Sequence, residues 1–253
     1  MQRSRKGRSV TPTIGSLFTG IGGFDLGFEM AGFKTAWQVE IDEYRQKVLA
    51  GLFPGAERFR DIHECSKANL KPVDVIVGGD PCQENSNARR AHATINPSLG
   101  GQFIRIVDEL RPRIVLRENP SAIRADAPWP WFRFRNSLER LGYAVLPFRL
   151  RACCTGAEHQ RERLFLLAEL QDSNGARLEG AEREELARTL EGEYHPDITR
   201  SIGGGAAPRI CRKPDGIPNR RKRLESLGNA VDVRVSEFIA KQIMQSLKGK
   251  VAA

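Results

Sequence analysis

The chain has little of what would staple a secreted domain together or carry a protein through a membrane. Its five cysteines among 253 residues are an odd number, with no Cys-x-x-Cys pair among them. That excludes a disulfide framework or a thiolate zinc site as the basis of the fold, and it predicts a reducing compartment. No apolar run approaches the roughly 20 residues needed to span a bilayer. The basic start Met1-Gln2-Arg3-Ser4-Arg5-Lys6 is not followed by the apolar core of a signal peptide. A cytoplasmic protein with no membrane partner is expected. His63, His92 and His195 share no spacing suited to a common ion, so no metal is expected either. Acidic residues are in deficit: 31 stand against 40 lysines and arginines, giving a formal charge of +9 and a pI near 9.6. Such a surplus favours a polyanionic partner, because contacts to phosphates release condensed counterions.

What is present is an alternation of short apolar runs with amphipathic stretches, the pattern of βαβ units on a doubly wound, mostly parallel α/β sheet. Strands are predicted at Ile14 to Phe18, Thr35 to Val39, Val73 to Val77, Arg113 to Leu116, Tyr143 to Leu150 and Leu164 to Ala168. Helices are predicted between them, including Asp25 to Ala31, stopped by Gly32, and Trp131 to Leu141, stopped by Gly142. From Gln171 to Ile210 the texture turns charge-rich and strand-poor. The spacing therefore divides the chain into a catalytic and cofactor-binding domain over 1–170, a small inserted lobe over 171–210 and a C-terminal segment over 211–253. The last of these ends in an amphipathic helix carrying Val235, Phe238, Ile239, Ile243 and Leu247, expected to pack back on the main domain.

Two sets of residues carry chemistry. Phe18-Thr19-Gly20-Ile21-Gly22-Gly23 follows a predicted strand and opens a predicted helix, where glycines let the backbone approach a ligand. Glu40 stands about twenty residues on, the distance at which an acid reaches ribose hydroxyls in dinucleotide-binding folds. These residues predict a ribose-bearing cofactor without choosing between NAD and S-adenosylmethionine. In the second set, Gly78-Gly79-Asp80-Pro81-Cys82-Gln83 follows a central strand, Glu118-Asn119 ends the next one, and Arg161-Glu162-Arg163 introduces a further one. A thiol, a carboxyl and a guanidinium thus converge on the carboxyl edge of the sheet, where doubly wound folds keep their chemistry.

In that order the chain resembles the cytosine-5 DNA methyltransferase family. Phe18 to Gly23 is similar to the family's F-x-G-x-G-G loop, Glu40 to its ribose acid with Ile41 beside it, and Asp61-Ile62 to its adenine-contacting pair. Pro81-Cys82-Gln83 is similar to the nucleophile motif, Glu118-Asn119 to the E-N motif, Arg161-x-Arg163 to R-x-R, and Gly228-Asn229-Ala230-Val231 to the C-terminal G-N-x-V that returns to the cofactor. The resemblance implies a class I methyltransferase-type fold with 171–210 as a target-recognition lobe, and S-adenosylmethionine as cofactor. Phe18, Gly20, Gly22, Gly23, Glu40, Ile41, Asp61, Ile62, Asp80, Asn229 and Ala230 would surround that cofactor. It implies transfer of a methyl group to C5 of a cytosine flipped out of double-stranded DNA, with Cys82 as covalent nucleophile, Glu118 on N3 and the exocyclic amine, and Arg161 and Arg163 completing the catalytic set. A monomer is expected, serving restriction-modification, phage protection or regulation in a bacterial or phage-infected cell.

Four positions depart from the family pattern: Asp80 before Pro-Cys, Asn85 before Ser86, Pro120 after Glu-Asn, and His159 before Arg161. Asp80 matters most, because a carboxylate beside Cys82 would disfavour the thiolate. A catalytically impaired DNA-binding homologue and an RNA cytosine-5 methyltransferase are the alternatives. The polar segment with Gln83, Ser86, Arg89 and Arg90 is expected to close over the flipped base, and the cluster with Arg220, Arg221 and Arg223 to grip phosphates. Replacing Arg220, Arg221 and Arg223 by alanine should weaken all DNA sequences alike and flatten log affinity against log salt by about one unit per lost contact. A full salt slope in filter-binding titrations of that variant would leave the cluster as a solvated face.

Overall fold

The computed structural model describes residues 11–80, 99–120, 129–157, 159–171 and 219–249. Cys82, Gln83, Ser86, Arg89 and Arg90 lie outside these residues, as does the expected lobe beyond Gln171. Strands β1 (Thr13–Leu17), β2 (Lys34–Val39), β3 (Glu57–Phe59), β4 (Val75–Gly78), β5 (Ile114–Pro120), β6 (Tyr143–Arg151) and β7 (Glu162–Leu170) form one sheet in the order β3-β2-β1-β4-β5-β7-β6. The pairings from β3 to β5 are all parallel, and β7 runs antiparallel between β5 and β6. This is the doubly wound, mostly parallel sheet that the alternating apolar runs predict. The order reverses direction at β1 and β4, and a crevice at such a switch point is where these folds bind ligands.

Helices α1 (Gly23–Met30), α2 (Glu43–Leu52), α3 (Leu99–Leu110), α4 (Trp129–Arg140), α5 (Arg220–Asn229) and α6 (Val233–Gly249) are described with it. All of β4 is buried, as expected of a central strand covered on both faces. Ile14, Val75, Val77, Ile114 and Leu116 turn to one face, with Phe24 and Phe28 of α1 and Val235, Ile239 and Ile243 of α6. Leu17, Trp37, Ile76 and Val115 turn to the other, with Phe103, Ile106 and Val107 of α3 and Phe134 and Leu138 of α4. Each such side chain contributes about 1.5–3 kcal/mol by leaving water. Helix α6 lies along α1, and Ser236 of α6 donates from Oγ to the Phe24 carbonyl at 3.0 Å. A Cβ at Gly23 would run into the Val231 carbonyl, so glycine there lets the C-terminal segment approach the loop. None of the described helices is long and apolar enough to cross a membrane.

Asp25 is a buried charged group within this packing. It is fully buried in the first turn of α1, where the helix dipole favours a negative charge, and it accepts from Gln38 Nε2 of β2 at 2.8 Å. Burial nevertheless pushes its pKa up from 3.8 to about 6, against the opposing hydrogen bond from Gln38. An acid whose pKa rises on folding stabilises the native state below its unfolded value and loses that contribution as pH climbs through the folded one. Asp25→Asn should therefore gain relative to wild type by roughly 2 kcal/mol between pH 4 and pH 8 in urea unfolding. A constant difference across that range would mean that Asp25 is ionised throughout.

Candidate active site

At the cofactor end, the chain leaves β1 through three left-handed residues in five positions, Phe18, Gly20 and Gly22, with φ of 54°, 64° and 86°. Thr19 holds this loop over the strand ends: its N–H donates to the Val39 carbonyl at 3.1 Å and its hydroxyl to the Ser16 carbonyl at 3.0 Å. Glu40 follows β2 directly, and each of its oxygens accepts a backbone N–H, Oε2 from Gly20 at 2.7 Å and Oε1 from Asp42 at 2.9 Å. One carboxylate thus fastens the glycine loop to the next strand end. Arg45 of α2 stands 3.7 Å from the same carboxylate and donates from Nε to Ser226 Oγ of α5 at 3.3 Å. Burial raises the Glu40 pKa; the two backbone donors and Arg45 oppose it.

The surface beside this carboxylate suits a nucleoside. A Cβ at Gly20 would meet nothing within 4 Å among the described residues. Ile41 is 65% exposed, an apolar side chain left uncovered next to Glu40. Phe18 is half-buried and packs on Phe103 with ring centroids 6.5 Å apart. Asp61 caps a short 3-10 turn by accepting from the His63 N–H at 2.9 Å, whereas Ile62 faces inward among the core residues. Asn229 ends α5 and Ala230 follows it, both at the surface edge of the segment that touches Gly23 through Val231.

At the catalytic end, β4 and β5 run side by side, with Gly78 beside Arg117. Beyond Gly78 come Gly79 and Asp80, then the Pro81-Cys82 dipeptide. Glu118 is 7% exposed and makes a 2.6 Å ion pair with Arg163 Nε of β7, in the antiparallel register that sets Glu118 beside Phe165 and Pro120 beside Arg163. Burial drives the Glu118 pKa up, and Arg163 and Arg161 pull it back. Burial likewise lowers the pKa of Arg161, whose Nε has no hydrogen-bond partner among the described residues. Of the expected site, the structure brings together Glu118, Arg161 and Arg163 at one edge and Phe18, Gly20, Gly22, Gly23 and Glu40 at the neighbouring one.

Three residues at the site were not singled out by the sequence reading. Arg45 links Glu40 to α5, Arg117 binds Asp80, and Asp232 pairs with His159 at 3.1 Å, tying the C-terminal segment to the chain that enters β7. Arg117 had a signal: a charge preceded by Ile114-Val115-Leu116 in a buried strand demands a partner. Arg45 and Asp232 sit in polar stretches and had none. Among the described residues no group of three or more His, Cys, Asp or Glu is placed to hold a metal ion.

Comparison with known proteins agrees with this geometry. The family model for C-5 cytosine-specific DNA methylase matches residues 13–203. Type II methyltransferase M.FnuDI of Fusobacterium nucleatum is 31% identical over 171 residues, 63% of this chain and 47% of that protein. Type II methyltransferase M2.BsuMI of Bacillus subtilis is 32% identical over 94% of this chain and 76% of its own length. The chain spans about half the length of M.FnuDI and of M.HaeII from Haemophilus aegyptius, 47% and 48%. In fold it is similar to a candidate DNA modification methyltransferase encoded within an E. coli prophage, with a TM-score of 0.66 at 20% identity, covering 94% of this chain and all of that one. The methyltransferase EhMeth of Entamoeba histolytica follows at a TM-score of 0.61 and 14% identity, covering 96% and 99%. With three quarters of its length matched by the family model, its sheet order and its two strand-edge clusters in place, the chain belongs to the C-5 cytosine-specific DNA methylase family.

Proposed function

We propose that this chain transfers a methyl group from S-adenosylmethionine to C5 of a cytosine flipped out of double-stranded DNA, with Cys82 as nucleophile. The observation that carries this reading is the buried Glu118–Arg163 pair at the sheet edge beside the strand that leads to Pro81-Cys82. The residues around Glu40 fit the cofactor: a carboxylate oriented by two backbone donors for ribose hydroxyls, a glycine loop, and Phe18 and Ile41 as apolar faces for a flat ring. S-adenosylmethionine, when bound, supplies an electrophilic methyl group.

Cytosine C5 is a weak nucleophile until a thiolate adds to C6 and loads electron density onto the ring, which is the part Cys82 would play. Glu118, whose pKa burial raises, would in its protonated form donate to N3 and accept from the exocyclic amine, neutralising charge that builds as the sulfur adds. Arg163 orients that carboxyl and would offer its remaining N–H groups to O2 of the base. After transfer, loss of the C5 proton expels Cys82 and restores aromaticity. On the DNA side, α5 begins with Arg220-Arg221-Lys222-Arg223 and no side-chain cap, so four basic residues sit where the helix dipole is also positive. That combination costs helix stability in isolation and favours a phosphate nearby.

Cys82→Ser should lose methyl transfer and the stable adduct with 5-fluorocytosine DNA while keeping affinity for S-adenosylmethionine, because a serine hydroxyl is not appreciably ionised at neutral pH. Near wild-type turnover would remove Cys82 from the mechanism. Transfer to RNA but not DNA in a competition assay would shift the substrate class and leave the chemistry standing. Glu40→Ala should weaken S-adenosylmethionine by roughly 1–3 kcal/mol in calorimetry, the loss expected for hydrogen bonds to a charged group. Unchanged affinity would confine Glu40 to holding the glycine loop.

A further inference from the structure

Asp80 and Arg117 enter none of the steps above, and each is out of place alone. Asp80 sets a carboxylate two residues before Cys82, and Arg117 sets a cation directly after the apolar run Ile114-Val115-Leu116. In the β4–β5 register Arg117 lies beside Gly78 and reaches one pleat forward on the same face to Asp80. Its Nε donates to Oδ1 at 2.5 Å and its Nη2 to Oδ2 at 2.6 Å. Arg117 is buried and Asp80 largely so, with side chains 3% and 12% exposed, and the guanidinium lies 4.0 Å over the Phe134 ring of α4. A planar fork that is doubly bonded and stacked on a ring is an arrangement lysine does not reproduce. Between these residues the chain interlocks once more: a Cβ at Gly79 would come within 3.0 Å of Glu118 Oε2.

We propose that the Asp80–Arg117 pair is a positioning device for the reaction, fixing the end of β4 against Glu118 and cancelling a charge that would otherwise oppose the Cys82 thiolate. This rests on the reading of Cys82 as nucleophile. Arg117 touches no substrate on this account. The charged groups facing Glu118 are Arg163 and Arg161 from the β7 side and Asp80 from the end of β4, and Arg117 is the cation matched to Asp80. Removing Arg117 alone leaves the Asp80 carboxylate without its cation, two residues before Cys82 in the chain, and a nearby like charge raises an acid's pKa by about one unit or more. Removing both partners removes the unpaired charge with its cause.

The test is a double-substitution cycle read by titration. The rate of Cys82 alkylation by iodoacetamide is followed against pH by peptide mass spectrometry, beside the pH profile of kcat and urea unfolding. Arg117→Met should move the Cys82 midpoint alkaline by about one unit, with about tenfold slower transfer at pH 7. Asp80→Asn/Arg117→Met should bring the midpoint back close to wild type even if the fold stays weakened, which a purely structural pair would not do. If Arg117→Met does not fold, Arg117→Lys keeps the charge without the fork: the midpoint should hold while kcat falls several-fold at unchanged KM. A midpoint that stays put in folded Arg117→Met, or a double variant no better than the single, overturns the proposal; so does Arg117→Lys with full kcat or a shifted midpoint. Full transfer by Cys82→Ser would instead sink the nucleophile reading, whatever the midpoints do.

Discussion

Burial of carboxyl groups along the carboxyl edge of the sheet is the constraint that the rest of the site answers. Asp25, Glu40, Asp80 and Glu118 all lie at or near strand ends with little access to water, and an ionised carboxyl there is costly unless something replaces its hydration. Each is answered differently. Glu40 receives two backbone N–H groups, Asp80 a bidentate guanidinium, Glu118 the side of Arg163, and Asp25 one amide from Gln38. Burial raises the pKa of Asp25, Glu40 and Glu118 alike, and of these Glu118 stands on the strand beside β4.

Much of this was legible in the sequence because it is written in short-range pattern. The apolar runs fixed β1, β2, β4, β6 and β7 to within a few residues, since a strand covered on both faces must be apolar throughout. The glycine loop and Glu40 were legible together because both depend on a spacing of about twenty residues across one βα unit. By contrast β3, Glu57–Phe59, is three half-exposed residues with no apolar run, and it exists because β2 offers it a free edge. Strand β5 runs four residues past the expected Leu116, through Arg117, Glu118 and Asn119 to Pro120, because β7 pairs with this polar end as well as with the apolar start. Asp80 read alone looked like an obstacle to catalysis. Its partner is 37 positions away, and only the sheet register shows that the two charges meet.

The same register sets the glycine loop and the Glu118–Arg163 pair along one edge of the sheet. Strands β1 and β4 are parallel neighbours, and the chain leaves both at the same edge of the sheet, so the glycine loop after one lies beside Gly79-Asp80 after the other. On the far side of β4, β5 brings Glu118 and β7 brings Arg163. The order β1-β4-β5-β7 therefore sets the glycine loop, the Gly79-Asp80 turn, Glu118 and Arg163 in sequence across the sheet. That order comes from the strand pairings and not from proximity along the chain, since β7 lies between β5 and β6.

The contact between Gly23 and Val231, with α6 laid along α1, has a consequence for synthesis. Phe24 and Phe28 are buried partly by Val235, Ile239 and Ile243, more than two hundred residues later in the chain. A nascent chain can pair its first strands long before that helix leaves the ribosome, yet the apolar flank of α1 stays wet until it does. Translation at 5–20 residues per second leaves that flank open for on the order of ten seconds or more. During that interval the half-built domain displays two phenylalanines as a ready surface for a chaperone, and the glycine loop gains its final support only when the last described helix docks.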